Sequence, residues 1–259
     1  MGNEQKSASV PNVRFVIDQN YLLAYVLYNT PATIGFSSKK FNHDIIELQD
    51  YAWEKSKESY LLLSGADKPA VWPGRPSSMV LNKAILGLPS YMDAIKKNQR
   101  FKKILKQTEV YMNFCRETWE KKSRLTSHAM SEITGLEFDT TYTVYITHPS
   151  LKNGLYLGDN EIAYGHNEDF KNYSVIYIWH EILHSKLPRN DVGHALLELA
   201  VDEELRVRLN TGRYPPFFGH PELRTTKLKL MPYWRRYLVS EPRNILKLYD
   251  YVSRKPGFK

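Results

Sequence analysis

The stretch Tyr173-Ser-Val-Ile-Tyr-Ile-Trp179-His180-Glu181-Ile182-Leu183-His184 decides how this chain is read. It is apolar nearly all round, which predicts a helix buried at the centre of the molecule. His180 and His184 stand four residues apart, so both imidazoles project from one helix face and can reach one metal ion. Glu181 follows His180 directly, beside the open side of such an ion, where water would sit. Two histidine ligands and a carboxylate base suit a zinc hydrolase. Three polar groups on a buried helix also need partners, and a metal supplies them.

A catalytic zinc takes three protein ligands, so the third must come from elsewhere. Pro188 and Asn190-Asp191 end the first helix and open a second, over about 192–210, which folds back on it. This segment reads His194-Ala-Leu-Leu-Glu198-Leu-Ala-Val-Asp202-Glu203-Glu204-Leu205. At helical spacing Glu198 shares a face with Ala195, Val201, Asp202 and Leu205, so two carboxylates lie in a mostly apolar stripe. Buried acids need an ion pair or a metal. Glu198 is therefore the expected third ligand, with Glu203, Glu204, His194 and Asp191 as alternatives. Asp202, one turn on, is placed to accept a hydrogen bond from the free ring N–H of a ligating histidine. Tyr164, His166, Tyr214 and His220, together with Arg213, are candidates for contact with substrate or with a developing oxyanion.

Before the helix pair the texture is different. Thr140–Thr147 is β-branched and aromatic, a strand pattern, and Gly154–Leu157, the turn at 158–160 and Glu161–His166 read as a hairpin. Upstream, Val13–Asp18 reads as a short strand and Tyr21–Tyr28 as a helix. Further helices are expected over about 42–62, 79–97 and 99–124, and the Pro- and Gly-rich stretch Gly65–Ser78 reads as a loop. After a loop at Pro215-Pro216 and Pro221, two more helices are expected, over about 222–239 and 242–253. The expected fold class is α+β: mostly helical, with a small sheet packed on the helix pair. Residues 1–11 read as a disordered tail, 12–135 as a mainly helical region, and 136–259 as the region of the metal site, the last two in one compact unit.

The HEILH run followed by Glu198-Leu-Ala-Val-Asp202 resembles the HExxH…ExxxD pattern of the gluzincin metallopeptidases, the clan of thermolysin-like enzymes. The likeness covers about residues 140–210. It implies a single zinc ion held by His180, His184 and Glu198, with Glu181 as general base and acid in peptide-bond hydrolysis of a peptide or protein substrate. It also implies that a small sheet precedes the active-site helix and pairs its edge strand with substrate, a part that falls to Glu161–His166. Metzincins extend HExxH with a glycine and a third histidine, where this chain has Leu187 and Asn190.

Composition narrows the remaining classes. No apolar run approaches the roughly 20 residues needed to span a bilayer. Cys115 is the only cysteine, so no intrachain disulfide forms, which fits a reducing, cytoplasmic setting. In the helix over 99–124 it shares a stripe with Phe101, Leu105, Met112 and Trp119, which makes it a packed core thiol. The net charge is +8. Its richest stretch, Arg224-Thr-Thr-Lys227-Leu-Lys229 with Tyr233-Trp234-Arg235-Arg236-Tyr237, reads first as half-buried core with basic tips reaching water. Aromatics among bases can also stack on nucleobases, so a basic nucleic-acid-binding protein stands as one rival reading. A metal-binding scaffold without catalysis is the other.

Overall fold

The computed structural model describes residues 9–28, 43–64, 78–212 and 219–258. It is a mostly helical α+β protein built round one small mixed sheet. The sheet has four strands: β1 (Asn12–Val16), β2 (Thr141–Ile146), β3 (Asn153–Gly158) and β4 (Glu161–Gly165). Their spatial order is β1-β2-β4-β3; β1 and β4 run parallel to β2, and β3 runs antiparallel to β4. The expected hairpin is therefore β3–β4. Of the expected tail, residues 1–8 lie outside the described residues, whereas the Ser9 hydroxyl accepts a hydrogen bond from the Phe138 N–H and Pro11 is buried. The chain is thus tied down from Ser9 onward.

Between β1 and β2 the described residues form five helices: α1 (Gln19–Tyr28), α2 (His43–Lys55), α3 (Lys57–Leu63), α4 (Ser78–Lys96) and α5 (Gln99–Thr134). The helix expected over 42–62 is broken in two because Ser56 caps α3, accepting from the Ser59 N–H. The loop expected at 65–78 lies almost wholly outside the described residues. α5 runs ten residues past its expected end, since Met130 and Ile133 continue its buried stripe. Its first turns pack through Phe101 and Ile104 into a core with Leu22, Val26, Ile45 and Leu48. Its remainder packs through Cys115, Trp119 and Ile133 into a second core with the sheet and the helices that follow.

The HEILH helix, α6 (Tyr173–His184), lies in that second core, and all but its last residue and Tyr177 are buried. Asn172 makes no capping bond; the Glu168 carboxylate accepts from the Tyr173 and Ser174 N–H groups instead. Trp179 Nε1–H donates to Thr126 Oγ1 at 2.8 Å and so fixes the helix against α5. Next come α7 (Asp191–Glu198), a π-helical segment (Leu199–Leu205) and α8 (Arg206–Asn210), in place of the single α-helix expected over 192–210. A 3₁₀ turn (Pro221–Leu223), α9 (Arg224–Leu238) and α10 (Ile245–Ser253) complete the described chain. No helix among the described residues is long and apolar enough to cross a membrane.

Candidate metal centre

α6 presents His180, Glu181 and His184 to a cleft of about 370 Å³. Its opposite wall is the start of α7, and its rim is β3 with His220. Asn190 caps α7 by accepting from the Gly193 N–H, and this tight return puts His194 in the first turn of α7. One ligand-type atom from each of His180, His184 and His194 lies within 4.8 Å of the others. The rings meet edge to face, His184 to His194 at 4.8 Å and His180 to His194 at 5.5 Å between centroids.

The donor set suits a borderline-soft divalent ion such as zinc. His180 Nδ1–H donates to the Asp202 carboxylate at 3.1 Å, which leaves Nε2 facing the cleft. His194 Nε2 is buried without a hydrogen-bond partner, 3.8 Å from Glu198 Oε1, and so is open to a ligand. Burial and the neighbouring imidazoles hold His184 down at about 3 and His194 down at about 4, so both stay neutral, the state that a ligand requires. Burial opposes charge on His180, but Asp202 more than offsets it and lifts the ring to about 9. The second proton on that ring is the counter-charge for Asp202, and it is the proton that metal binding would release.

Glu198 is not grouped with His180 and His184 here. Its carboxylate accepts from both the backbone N–H and Nδ1 of His220, at 2.8 and 2.7 Å, and pairs with Lys227 Nζ at 2.9 Å. Burial would raise its pKa, but His220 and Lys227 overcome this and hold it at about 2. Of the candidates for the third ligand, His194 rather than the expected Glu198 is grouped with His180 and His184, because a first-turn residue of α7 reaches the end of α6 and a residue one turn later is already engaged. Glu198 instead anchors the approach to His220. Gly219, at φ +58, lies so close that a Cβ there would fall on the Glu198 carboxylate. His194, Glu198 and His220 form a second cluster of ligand-type atoms, but the Lys227 ammonium already neutralises its acid.

The other candidates separate clearly. Glu203 pairs with Arg206 and Glu204 with Arg208, and neither lines the cleft; Asp191 lines its rim. Tyr164 is fully buried beneath the sheet against Tyr111 and does not reach the cleft. His166 packs against the rings of Tyr173 and Tyr177 and also stays out of it. Both follow from topology: β4 is an inner strand, so the edge expected at Glu161–His166 is in fact β3. Arg213 and Tyr214 lie outside the described residues. His220 does line the cleft, and its hydrogen bond to Glu198 raises its pKa.

Three features escaped the sequence reading. Tyr177 stacks on His180 at 5.3 Å and fills the space beside Gly154, where any Cβ would strike its ring. Arg189 lies over the Tyr156 ring and donates to the Tyr156 carbonyl. Glu181 takes a backbone hydrogen bond from Tyr156, yet burial still pushes its carboxyl up to about 7. The chain was compared with protein-family models, with curated proteins and with solved structures, and none matched.

Proposed function

We propose that this protein is a zinc-dependent peptidase, with one ion held by His180, His184 and His194 and with Glu181 as general base and acid. The observation that carries the reading is the convergence of three imidazoles from two helices beside a buried carboxyl whose pKa lies near neutrality. A bound zinc ion would supply Lewis acidity, acidifying water and polarising a carbonyl.

The remaining chemistry belongs to this chain. Glu181, near pH 7, can take a proton from attacking water and give it to the leaving amine. His220, fixed by Glu198 and inclined to carry charge, can donate to the carbonyl oxygen as that oxygen gains charge. Asp202 holds the His180 ring in one orientation. The edge strand β3 runs along the cleft through Gly154, Leu155 and Tyr156, which favours an extended peptide laid beside it. The fit to a gluzincin is looser than the sequence motif implies, because Glu198 here supports His220.

The test pairs metal analysis with hydrolysis of a quenched fluorescent peptide library. Glu181→Gln should keep zinc and lose about a thousandfold in hydrolysis, within the usual range for a general base. His194→Ala should lose zinc while Glu198→Ala keeps it. Undiminished hydrolysis by Glu181→Gln would refute the mechanism, and the opposite zinc pattern would return Glu198 to the ligand set.

A further inference from the structure

The charge of this chain is not spread over it. Residues 224–259 hold ten of its 36 Lys and Arg but only two of its 28 Asp and Glu, so the other 223 residues carry 26 of each and balance. The whole excess of +8 thus lies on α9, α10 and the residues after them. Little of it is consumed internally. Lys227 is buried against Glu198, and Arg243 pairs with Glu241. Arg235, Arg236, Lys247 and Arg254 are exposed and have no acidic partner among the described residues.

Arg236, Lys247 and Arg254 flank a groove. A cavity of about 310 Å³ between α9 and α10 is lined by Tyr233, Arg236, Tyr237, Lys247 and Tyr251. A second opening continues from it past Lys247, Tyr251, Arg254 and Lys255, with Asp250 its one acid. Trp234 and Tyr237 turn inward to the core, but Tyr251 is 50% exposed and Tyr233 is half-buried. The basic-aromatic run is therefore only in part the snorkelling core expected of it.

We propose that the α9–α10 groove binds single-stranded nucleic acid. Backbone phosphates match the cations that lack an acidic partner, and Tyr251, half exposed beside the Lys255 ammonium that lies 4.3 Å from its ring centre, offers aromatic surface to a base. The surface is concave and made of two short helices, which suits a flexible strand better than a duplex, whose major groove is read by a protruding helix or ribbon. The hairpin is anchored to the same body as the cleft, through Lys227 to Glu198 and through Tyr249, whose hydroxyl accepts from Asn190. The inference does not depend on the proposed hydrolysis.

The experiment is fluorescence anisotropy with the full chain and a labelled oligothymidylate of about 20 nucleotides, titrated at several salt concentrations. The wild type should bind with log K falling linearly in log salt, with or without EDTA. Arg236→Ala/Lys247→Ala/Arg254→Ala, all at exposed positions, should bind at least about tenfold more weakly, and its salt slope should fall by about two. Tyr251→Ala should lose affinity by roughly fivefold or more with the slope unchanged. Circular dichroism melts of each variant check that the fold is kept. Absence of binding at low salt, or a triple variant that binds like the wild type, would overturn the proposal. So would phosphatidylserine vesicles or polyglutamate that compete as well as unlabelled oligonucleotide while Tyr251→Ala has no effect, since the groove would then recognise charge alone.

Discussion

At the scale of single residues, His148 illustrates how a buried imidazole outside the cleft sets a pH limit. It caps the 3₁₀ turn Pro149–Leu151 by accepting from the Ser150 N–H through Nδ1, and its Nε2 meets the Gln107 side-chain oxygen at 3.1 Å. Both bonds are made by the neutral ring, and burial holds its pKa down at about 4, against an ordinary value of 6.5. Between those values the unfolded chain takes up a proton that the folded chain refuses. The contribution is complete above about pH 6.5 and is lost as pH falls toward 4, amounting to about 2–3 kcal/mol at pH 4.5. His148→Asn can still accept from Ser150 and donate to Gln107 but does not titrate. Urea unfolding at pH 7 and pH 4.5 should show a smaller acid loss in this variant, and an unchanged loss would assign the effect elsewhere. The same scale explains which candidates the fold brings together. His180, Glu181 and His184 are legible because helical spacing alone places them together. That His194 rather than Glu198 lies with them was not legible, since Glu198 is engaged by Lys227, which sits 29 positions further on and leaves no periodic trace.

At the scale of elements, that ion pair joins α7 to α9 and holds the turn that carries His220. Glu198 is fully buried and Lys227 nearly so. Removing Lys227 leaves the buried Glu198 carboxylate with His220 alone, at a cost of up to about 3–5 kcal/mol, whereas removing both charges can be closer to neutral. Lys227→Met should therefore lower the urea midpoint sharply, and adding Glu198→Gln should restore much of it. If the double variant is no more stable than Lys227→Met, the pair is not the source of the loss. Most elements could be read from the sequence: β2, the β3–β4 hairpin, α6 and α9 follow from alternation, helical period and turn residues. Strand order was not readable, because a hairpin pattern does not say which of its strands another strand will join. β2 joins β4 in parallel, which buries β4 and leaves β3 at the edge. The π-helical turn at Leu199–Leu205 was also hidden, since its composition is that of an ordinary helix. It carries Asp202, so the ring of His180 is oriented by the one stretch of that helix that departs from α geometry.

At the scale of the whole molecule, the cleft takes side chains from two helices, and an ion held there would stabilise only the folded state. Chelator-stripped protein given zinc at about a hundred times its Kd should gain about 2.7 kcal/mol, which for a chain of this size is a rise of about 5–10 °C in Tm. His180→Ala/His184→Ala should show no such rise, and a wild type whose Tm ignores both zinc and chelator would remove the metal from the reading. α5 links the two cores because one 36-residue helix contributes to both, so heat should unfold them together.

The pairing of β1 with β2 sets Asn12 against Thr141, 129 positions along the chain. At translation rates of about 5–20 residues per second, β1 waits roughly 6–26 s for β2, its one sheet neighbour among the described residues, to be synthesised. During that interval α1 to α4 and the start of α5 can gather round their own core, while Phe15 has no sheet to enter. The nascent chain is thus for a time a helical half-protein with an unmatched strand, and the cleft can take shape only after the last third of the chain has emerged.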